Sequence, residues 1–211
     1  AEIENVVNGL VHDITAVKGG HHSTGIHGNR YIYTVLTKYG KADLAHQILT
    51  TPDFPSQTYV MNSGFTTWPE RQFEWEKLEG PSNSLNHPMH SGFAAYFYES
   101  LGGIKSSKTY PGYKDFTVNP QFPSQLKGTS VEVPTPYGTI KNTWNVDGTT
   151  MTVELEVPFN TTAEVILSAQ QQSLLKINGM PLADFLQKHN LIQAADNLLL
   201  GSGAYVLTYK R

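Results

Sequence analysis

The sequence predicts an α+β fold, with helices in residues 1–107 and an antiparallel β-sandwich in residues 108–211. In the first part, apolar residues recur at intervals of three and four, which is the spacing of one face of a helix. From Tyr110 onward, apolar and polar residues alternate, as in strands with one buried face. The dipeptide Asp147-Gly148 between two alternating segments favours a hairpin turn and therefore antiparallel pairing.

The helices are predicted from this spacing and from the residues that end each segment. Gly40 separates two segments and predicts a tight corner in a helical hairpin. Pro88 suits the first turn of the last helix, and Gly102-Gly103 suits its end. The consecutive aromatics Tyr96-Phe97-Tyr98 indicate burial on more than one side, so we expect helices outside this chain to pack here. The helical segments are 3–11, 31–36, 42–49 and 88–101.

Residues 50–86 carry several prolines and show no regular period, so they are predicted to be irregular. A long irregular stretch inside a compact domain is usually functional. The second part is predicted to form strands over 131–133, 139–146, 151–157, 163–167, 174–177 and 204–209. Asn178-Gly179 predicts a further turn, and residues 183–193 fit either a short helix or a loop that crosses the sandwich.

Composition excludes several function classes. The net charge is −3 and Lys and Arg do not cluster, so we expect no nucleic-acid partner. No apolar run approaches the roughly 20 residues that cross a bilayer, so we expect no membrane partner. The chain has no cysteine and no phosphate-binding glycine loop, and we expect no cofactor. No N-terminal signal pattern is present, and the sequence assigns no periplasmic, extracellular or cytoplasmic location.

Glu70 is the candidate catalytic residue. It follows Trp68 closely and precedes Arg71, in the segment predicted to be irregular. Glycosidases need a carboxylate that activates water or attacks the sugar, and aromatic faces stack sugar rings. Arg71 is placed to orient Glu70 or to keep it ionised. The alternative is an ordinary surface Glu–Arg pair, which is the commoner arrangement. The neighbouring Glu74, Glu76 and Glu79 are interpreted as a solvated acidic face.

The histidines are candidates for substrate binding. His22 and His27 lie in a glycine-rich loop, where hydrogen bonding to sugar hydroxyls is favoured over a metal site and a purely structural loop is the alternative. No acidic or thiol partner follows at a known metal-ligand spacing, so we expect no metal. His87 stands directly before the last predicted helix, from whose end it can reach into a cleft, whereas Asn86 can simply help to start the helix.

Several blocks of the chain resemble bacterial α-L-rhamnosidases, in the same order and with similar spacing. The blocks HHSTGIHG, GFTTWPER and SLNHPMHSGFAAYFYESLGGI resemble the end of the family's catalytic barrel, as does the block LTKYGKADLAHQILTTPDFPS. PTPYGTIKNTW, EVPFNTTAEVIL, INGMPL and LGSGAYVLTY resemble the β-sandwich that follows the barrel. The resemblance implies that the helical part is a partial (α/α)6 toroid of six helical hairpins.

The resemblance also implies an activity, the cleavage of terminal α-L-rhamnosyl linkages with inversion. Glu70 matches the family's general base, and His87 and the Gly25 loop lie near the sugar in that family. Pro69 stands where the family usually has tryptophan, which shifts the stacking surface to Trp68. The general acid belongs to an earlier part of the barrel, so the chain by itself is expected to be inactive. Its expected partners are an oligosaccharide or polysaccharide substrate and the remainder of the barrel, supplied by the same parent chain or in trans.

Two other functions stay open at this stage. A polysaccharide lyase acting at rhamnose–uronate linkages would need a base and cationic groups, for which Arg30, Arg71, His22 and His27 are available. A carbohydrate-binding module would leave Glu70 exposed and dispensable.

Overall fold

The computed structural model describes residues 2–71, 84–191 and 197–210. Glu74, Glu76 and Glu79, interpreted above as an acidic face, lie outside these ranges, as does the end of the segment 183–193. The chain divides into two compact units, residues 1–96 and residues 97–211. Each unit is described separately below.

The first unit is helical, and its centre is a helical hairpin. The hairpin corner is Gly40, whose φ of +73° is readily adopted by glycine. Leu36 from one arm and Ile48 from the other are fully buried. The helices are α1 (Glu2–His12), α2 (Ile26–Asn29), α3 (Ile32–Lys38), α4 (Ala42–Thr50) and α5 (Gln57–Asn62), with a π-helical turn at Asp13–Val17 and a 3-10 helix at Pro88–Ala94. The hairpin predicted from the sequence is formed by α3 and α4.

Two of the helical segments differ from the sequence prediction. Helix α5 lies inside the segment predicted to be irregular; Ser56 caps it by accepting a hydrogen bond from the Tyr59 amide. A helix this short spans less than two turns, so the sequence shows no period. The last predicted helix is not one α-helix, because Pro88–Ala94 is 3-10 helical and Phe97–Leu101 is π-helical.

Helix α1 exposes much of its apolar face. Ile3 is 61% exposed and Val6 is 69% exposed, whereas Val7 is buried. The helical spacing predicted in this segment is therefore present, but only part of the apolar face is covered within this unit. Across the described residues, no helix is both long enough and apolar enough to cross a membrane.

The second unit is a two-sheet sandwich. One sheet has the order β1-β2-β6-β9 and the other has the order β3-β4-β5-β10-β7-β8. Its strands are β1 (Ile104–Ser106), β2 (Asp115–Val118), β3 (Gly128–Thr135), β4 (Gly138–Asp147), β5 (Thr150–Val157), β6 (Thr162–Ile166), β7 (Lys176–Ile177), β8 (Met180–Pro181), β9 (Asn197–Leu200) and β10 (Gly203–Lys210). Two short helices, α6 (Ala169–Ser173) and α7 (Leu182–His189), complete the unit. The α+β class predicted from the sequence is confirmed.

Both sheets contribute to one apolar core. Phe116 and Val165 from the four-stranded sheet and Ile140 and Leu155 from the six-stranded sheet belong to the same buried cluster. The alternation predicted for residues 151–157 is realised in β5, whose apolar side chains are buried while Glu154 and Glu156 are not. Pairing departs from the prediction at one place, because β2 and β6 run parallel.

The predicted turns have the required backbone geometry. Asn178 has φ +51° and Gly179 has φ +79°, which are the positive values that a two-residue hairpin turn needs at both central positions. The turn is held by the Val206 amide, which donates to Asn178 Oδ1 at 2.8 Å. Gly148 also has positive φ, at +55°, in the turn between β4 and β5.

Candidate functional site

Glu70 lies on a short backbone segment that is hydrogen-bonded to residues 84–90. The His87 amide donates to Trp68 O at 2.6 Å, and the Glu70 amide donates to Ser84 O at 2.9 Å. The chain positions on both sides of Pro69 are therefore fixed to the segment that leads into the 3-10 helix.

Side chains add two more bonds between the same segments. The Thr67 hydroxyl donates to Leu85 O at 2.6 Å. His90 Nδ1 lies 2.6 Å from Pro69 O, and because a carbonyl only accepts, the ring nitrogen is the donor. Pro69 and His90 are both buried, whereas Glu70 remains partly accessible. Glu70 thus lies on a backbone segment that is fixed by hydrogen bonds, and this residue is partly accessible to solvent.

Glu70 and Arg71 line a cavity of about 230 Å³. Most of the remaining lining comes from the glycine-rich loop before α2 and from the start of the segment predicted to be irregular. The full lining is His22, Ser23, Thr24, Gly25, Ile26, Phe54, Pro55, Glu70, Arg71 and His90. The fold therefore brings together three of the predicted site residues, Glu70, Arg71 and His22.

His22 is a buried residue of this cavity lining. It is 3% exposed, and its Nε2 lies 3.0 Å from the Tyr33 hydroxyl while its Nδ1 lies 2.9 Å from Thr24 Oγ1. Burial, together with the smaller effects of the nearby His90 and His21, lowers the pKa of His22 to about 4. The ring is therefore neutral near pH 7, so it acts as a hydrogen-bonding group and not as a fixed positive charge.

A buried polar network is hydrogen-bonded to His22 and His90, two of the residues that line the cavity. The Asn29 side chain donates to His90 O at 2.7 Å and accepts from Gln57 Nε2 at 2.7 Å. The Tyr33 hydroxyl also donates to Asn29 Oδ1, at 3.3 Å, which joins this group to His22. Burial raises the pKa of Tyr33 well above its usual range, so the phenol keeps its proton.

The other predicted substrate-binding residues do not line the cavity. The Trp68 ring packs edge-to-face on Phe93 with centroids 4.8 Å apart and is only partly exposed. His87 is half-buried at the start of the 3-10 helix, next to Trp68 in the hydrogen-bonded pair described above. His27 is exposed on α2.

The sequence analysis did not select three residues that build the site: His90, Asn29 and Gln57. Of these three, only His90 could have been found from the sequence. It lies three residues after His87, and side chains at that spacing align along a 3-10 helix. Asn29 and Gln57 are ordinary polar residues whose burial depends on tertiary contacts. Within the described parts of the chain, no group of three or more His, Cys, Asp or Glu side chains is arranged to hold a metal ion.

Comparison with known families matches both units. Residues 1–101 match the model of the bacterial alpha-L-rhamnosidase 6 hairpin glycosidase domain. Residues 103–179 match the model of the bacterial alpha-L-rhamnosidase C-terminal domain. The two matches follow each other in the order that the sequence blocks predicted.

Similar proteins and structures agree with these matches. An alpha-L-rhamnosidase of Formosa agariphila is 65% identical over 100% of this chain, which spans 22% of that protein. An alpha-L-rhamnosidase of Alteromonas sp. is 33% identical over 75% of this chain and 18% of its own length. The alpha-L-rhamnosidase structure from Dictyoglumus thermophilum superposes with a TM-score of 0.81 and 28% identity, over 97% of this chain and 23% of the other. The structure from Streptomyces avermitilis, complexed with L-rhamnose, has a TM-score of 0.80 and 25% identity, over 97% of this chain and 19% of the other.

Helices of a six-hairpin glycosidase domain, followed by a β-rich C-terminal domain, place the chain among the six-hairpin glycosidases. Within that class, the chain belongs to the bacterial alpha-L-rhamnosidase family. The resemblance inferred from the sequence blocks is thereby confirmed.

Proposed function

We propose that this chain is part of a larger glycoside hydrolase that cleaves terminal α-L-rhamnosyl linkages with inversion. The observation that carries the proposal is the 65% identity, over the whole chain, to an alpha-L-rhamnosidase. The cavity lined by Glu70, Arg71 and His22 supports a site for that activity in this chain.

In the proposed mechanism, Glu70 is the general base. Its carboxylate takes a proton from a water molecule as the water oxygen bonds to the anomeric carbon. A general acid on the opposite side of the sugar gives a proton to the leaving oxygen as the glycosidic bond breaks. Inverting enzymes hold the two carboxyl groups roughly 6.5–9.5 Å apart to admit the water. We assign the acid to the remainder of the barrel, so the chain alone is expected to be inactive.

We propose that the remaining predicted site residues bind substrate. Arg71 and His22 are supported by their positions in the cavity lining. The His87 amide donates a hydrogen bond to Trp68 O, two residues before Glu70 in the chain. This position near Glu70 supports a role for both residues close to the sugar. For His27, the support is its exposed position on α2, close in sequence to the cavity-lining residues of the glycine-rich loop.

We propose that the remainder of the barrel packs against α1. Ile3 and Val7 line a second cavity, of about 360 Å³, together with Tyr39 and the polar residues Glu4, Asn8 and Lys41. Ile3 and Val6 are largely exposed, and covering each apolar side chain is worth on the order of 1.5–3 kcal/mol. In this proposal, residues 1–107 complete the barrel and residues 108–211 form the sandwich that follows it.

The test is the variant Glu70→Gln in the longer protein that contains this segment. With an aryl α-L-rhamnoside as substrate, kcat should fall by about 10²–10⁴-fold, because the amide cannot take a proton from water. Glu132→Gln is the matched control, since the Glu132 side chain is 61% exposed on the sandwich. Proton NMR of the first sugar released should show the inverted anomer.

The outcomes separate the functions considered above. Full activity of Glu70→Gln would exclude the general-base role. Retention of configuration in the product would exclude the inverting mechanism. A polysaccharide lyase would give an unsaturated product that absorbs in the ultraviolet, whereas hydrolysis gives none.

A further inference from the structure

The peptide group that joins Pro69 to Glu70 is held at both of its polar ends. Its carbonyl oxygen accepts from His90 Nδ1 at 2.6 Å, and its amide hydrogen is donated to Ser84 O at 2.9 Å. A peptide group is planar, so fixing the oxygen and the N–H fixes the plane. These two bonds therefore fix the peptide plane and with it the position of the Glu70 Cα, from which the side chain leaves the backbone.

His90 is suited to hold a buried carbonyl. The ring is 3% exposed, and burial lowers its pKa, which outweighs the opposite effect of the hydrogen bond to Pro69. A neutral histidine has one N–H, and here the carbonyl acceptor places that hydrogen on Nδ1. Nε2 is left as an acceptor on a ring that lines the cavity.

His90 is itself anchored. The fully buried Asn29 donates to His90 O at 2.7 Å and is in turn held by Gln57. Gly92 allows the 3-10 helix to lie against α2, because a Cβ at this position would be 3.1 Å from Arg30 Cβ. The backbone that carries the His90 ring is therefore held by buried hydrogen bonds.

We propose that His90 is a positioning residue that fixes the Pro69–Glu70 peptide and thereby aims the Glu70 carboxylate into the cavity. This inference rests on the general-base role proposed for Glu70. A purely structural role for His90 would satisfy the buried carbonyl without any specific effect on the rate of the chemical step.

The matched variants His90→Asn and His90→Gln separate the two roles. The Asn amide nitrogen stands near the position of Nδ1 and keeps a donor to Pro69 O, whereas the Gln amide nitrogen stands near Nε2 and does not. In the longer protein that contains this segment, kcat of H90Q should fall roughly 10–100-fold with little change in KM, since a misaimed catalytic group costs up to about 10²-fold. H90N should stay within about 3-fold of the unmodified kcat, as expected when the essential bond is kept.

A double-variant cycle tests whether His90 acts through Glu70. In a Glu70→Gln background, H90Q should lower the residual rate by less than about 2-fold, because the group it positions is already gone. An equal fall in both backgrounds would overturn the positioning role, and so would equal kcat values for H90N and H90Q.

The proposed function and the positioning role fail in different ways. Full activity of Glu70→Gln overturns the general-base function, whatever H90Q does. Loss of activity in Glu70→Gln with unchanged kcat in H90Q overturns the positioning role alone. If a His90 variant does not fold, nitrogen-15 NMR of the unmodified protein tests the bond that the positioning role requires: a hydrogen on Nδ1 shows that the donor to Pro69 O is present, and a hydrogen on Nε2 overturns the positioning role.

Discussion

Stability should depend on pH through the buried ring of His22. This ring is 3% exposed, and burial lowers its pKa from 6.5 to about 4. In the unfolded chain the ring takes up a proton near pH 6.5, whereas in the folded protein it does so only near pH 4. Between these values the unfolded state binds more protons, so the free energy of unfolding falls as the pH is lowered. The contribution of His22 is complete above about pH 6.5 and lost by about pH 4.

The size of the effect follows from the same values. One pKa unit corresponds to about 1.4 kcal/mol, so a fall from 6.5 to about 4 corresponds to at most about 3 kcal/mol. Burial also lowers the pKa of His90, which therefore acts in the same direction. Substituting His22 and His90 one at a time separates their contributions to the pH dependence of the free energy of unfolding.

Urea unfolding at pH 7 and at pH 4.5, followed by circular dichroism, measures this dependence. His22→Gln should lose stability at pH 7, because its bonds to Tyr33 and Thr24 are disturbed, but should lose about 2–3 kcal/mol less than the unmodified protein on acidification. His12→Gln is the matched control at an exposed position. An identical loss on acidification in His22→Gln and the unmodified protein would refute the reasoning.

Two further predictions concern the second unit. Trp144→Phe should lower the free energy of unfolding by about 2–4 kcal/mol, because the fully buried indole donates to Leu101 O at 2.8 Å and a smaller ring leaves a gap; a urea midpoint unchanged from the parent would contradict this. Gly103→Ala should cost more than about 2 kcal/mol, because φ is +67° and a Cβ would lie 2.1 Å from Pro120 N. Gly148→Ala is its control, with φ +55° and open space around the new methyl group, and should cost only about 1 kcal/mol when both variants are unfolded in urea. Equal losses for the two alanine variants would show that the close approach at Gly103 is unimportant.

Local features of the sequence were sufficient for the elements whose signals are local. Gly40 and the apolar spacing on either side predicted the α3–α4 hairpin, because a helix shows its period within a few turns. Asp147-Gly148 and Asn178-Gly179 predicted two hairpin turns, because glycine and asparagine readily adopt the positive φ values found at Gly148, Asn178 and Gly179. The parallel pairing of β2 with β6 had no such signal, since it joins strands that are distant in sequence.

The candidate site was only partly predictable for the same reason. Glu70, Arg71 and His22 were selected because their chemistry stands out in the sequence, and they meet in one cavity. The roles assigned to these three residues and to Trp68, His87 and His27 stay predictions. His90 and Asn29 were not selected, because their importance lies in which buried carbonyl each one meets.

The sequence by itself therefore determined the order of helical and β-rich parts, the family and the candidate carboxylate. The tertiary structure alone decided which histidine holds the Glu70 backbone, which ring is kept neutral, and which side chains share the cavity. The physical reason is that spacing and turn chemistry act between near neighbours in the chain. Burial and hydrogen bonding, by contrast, join residues as far apart as Asn29 and His90, and these contacts exist only once the chain has folded.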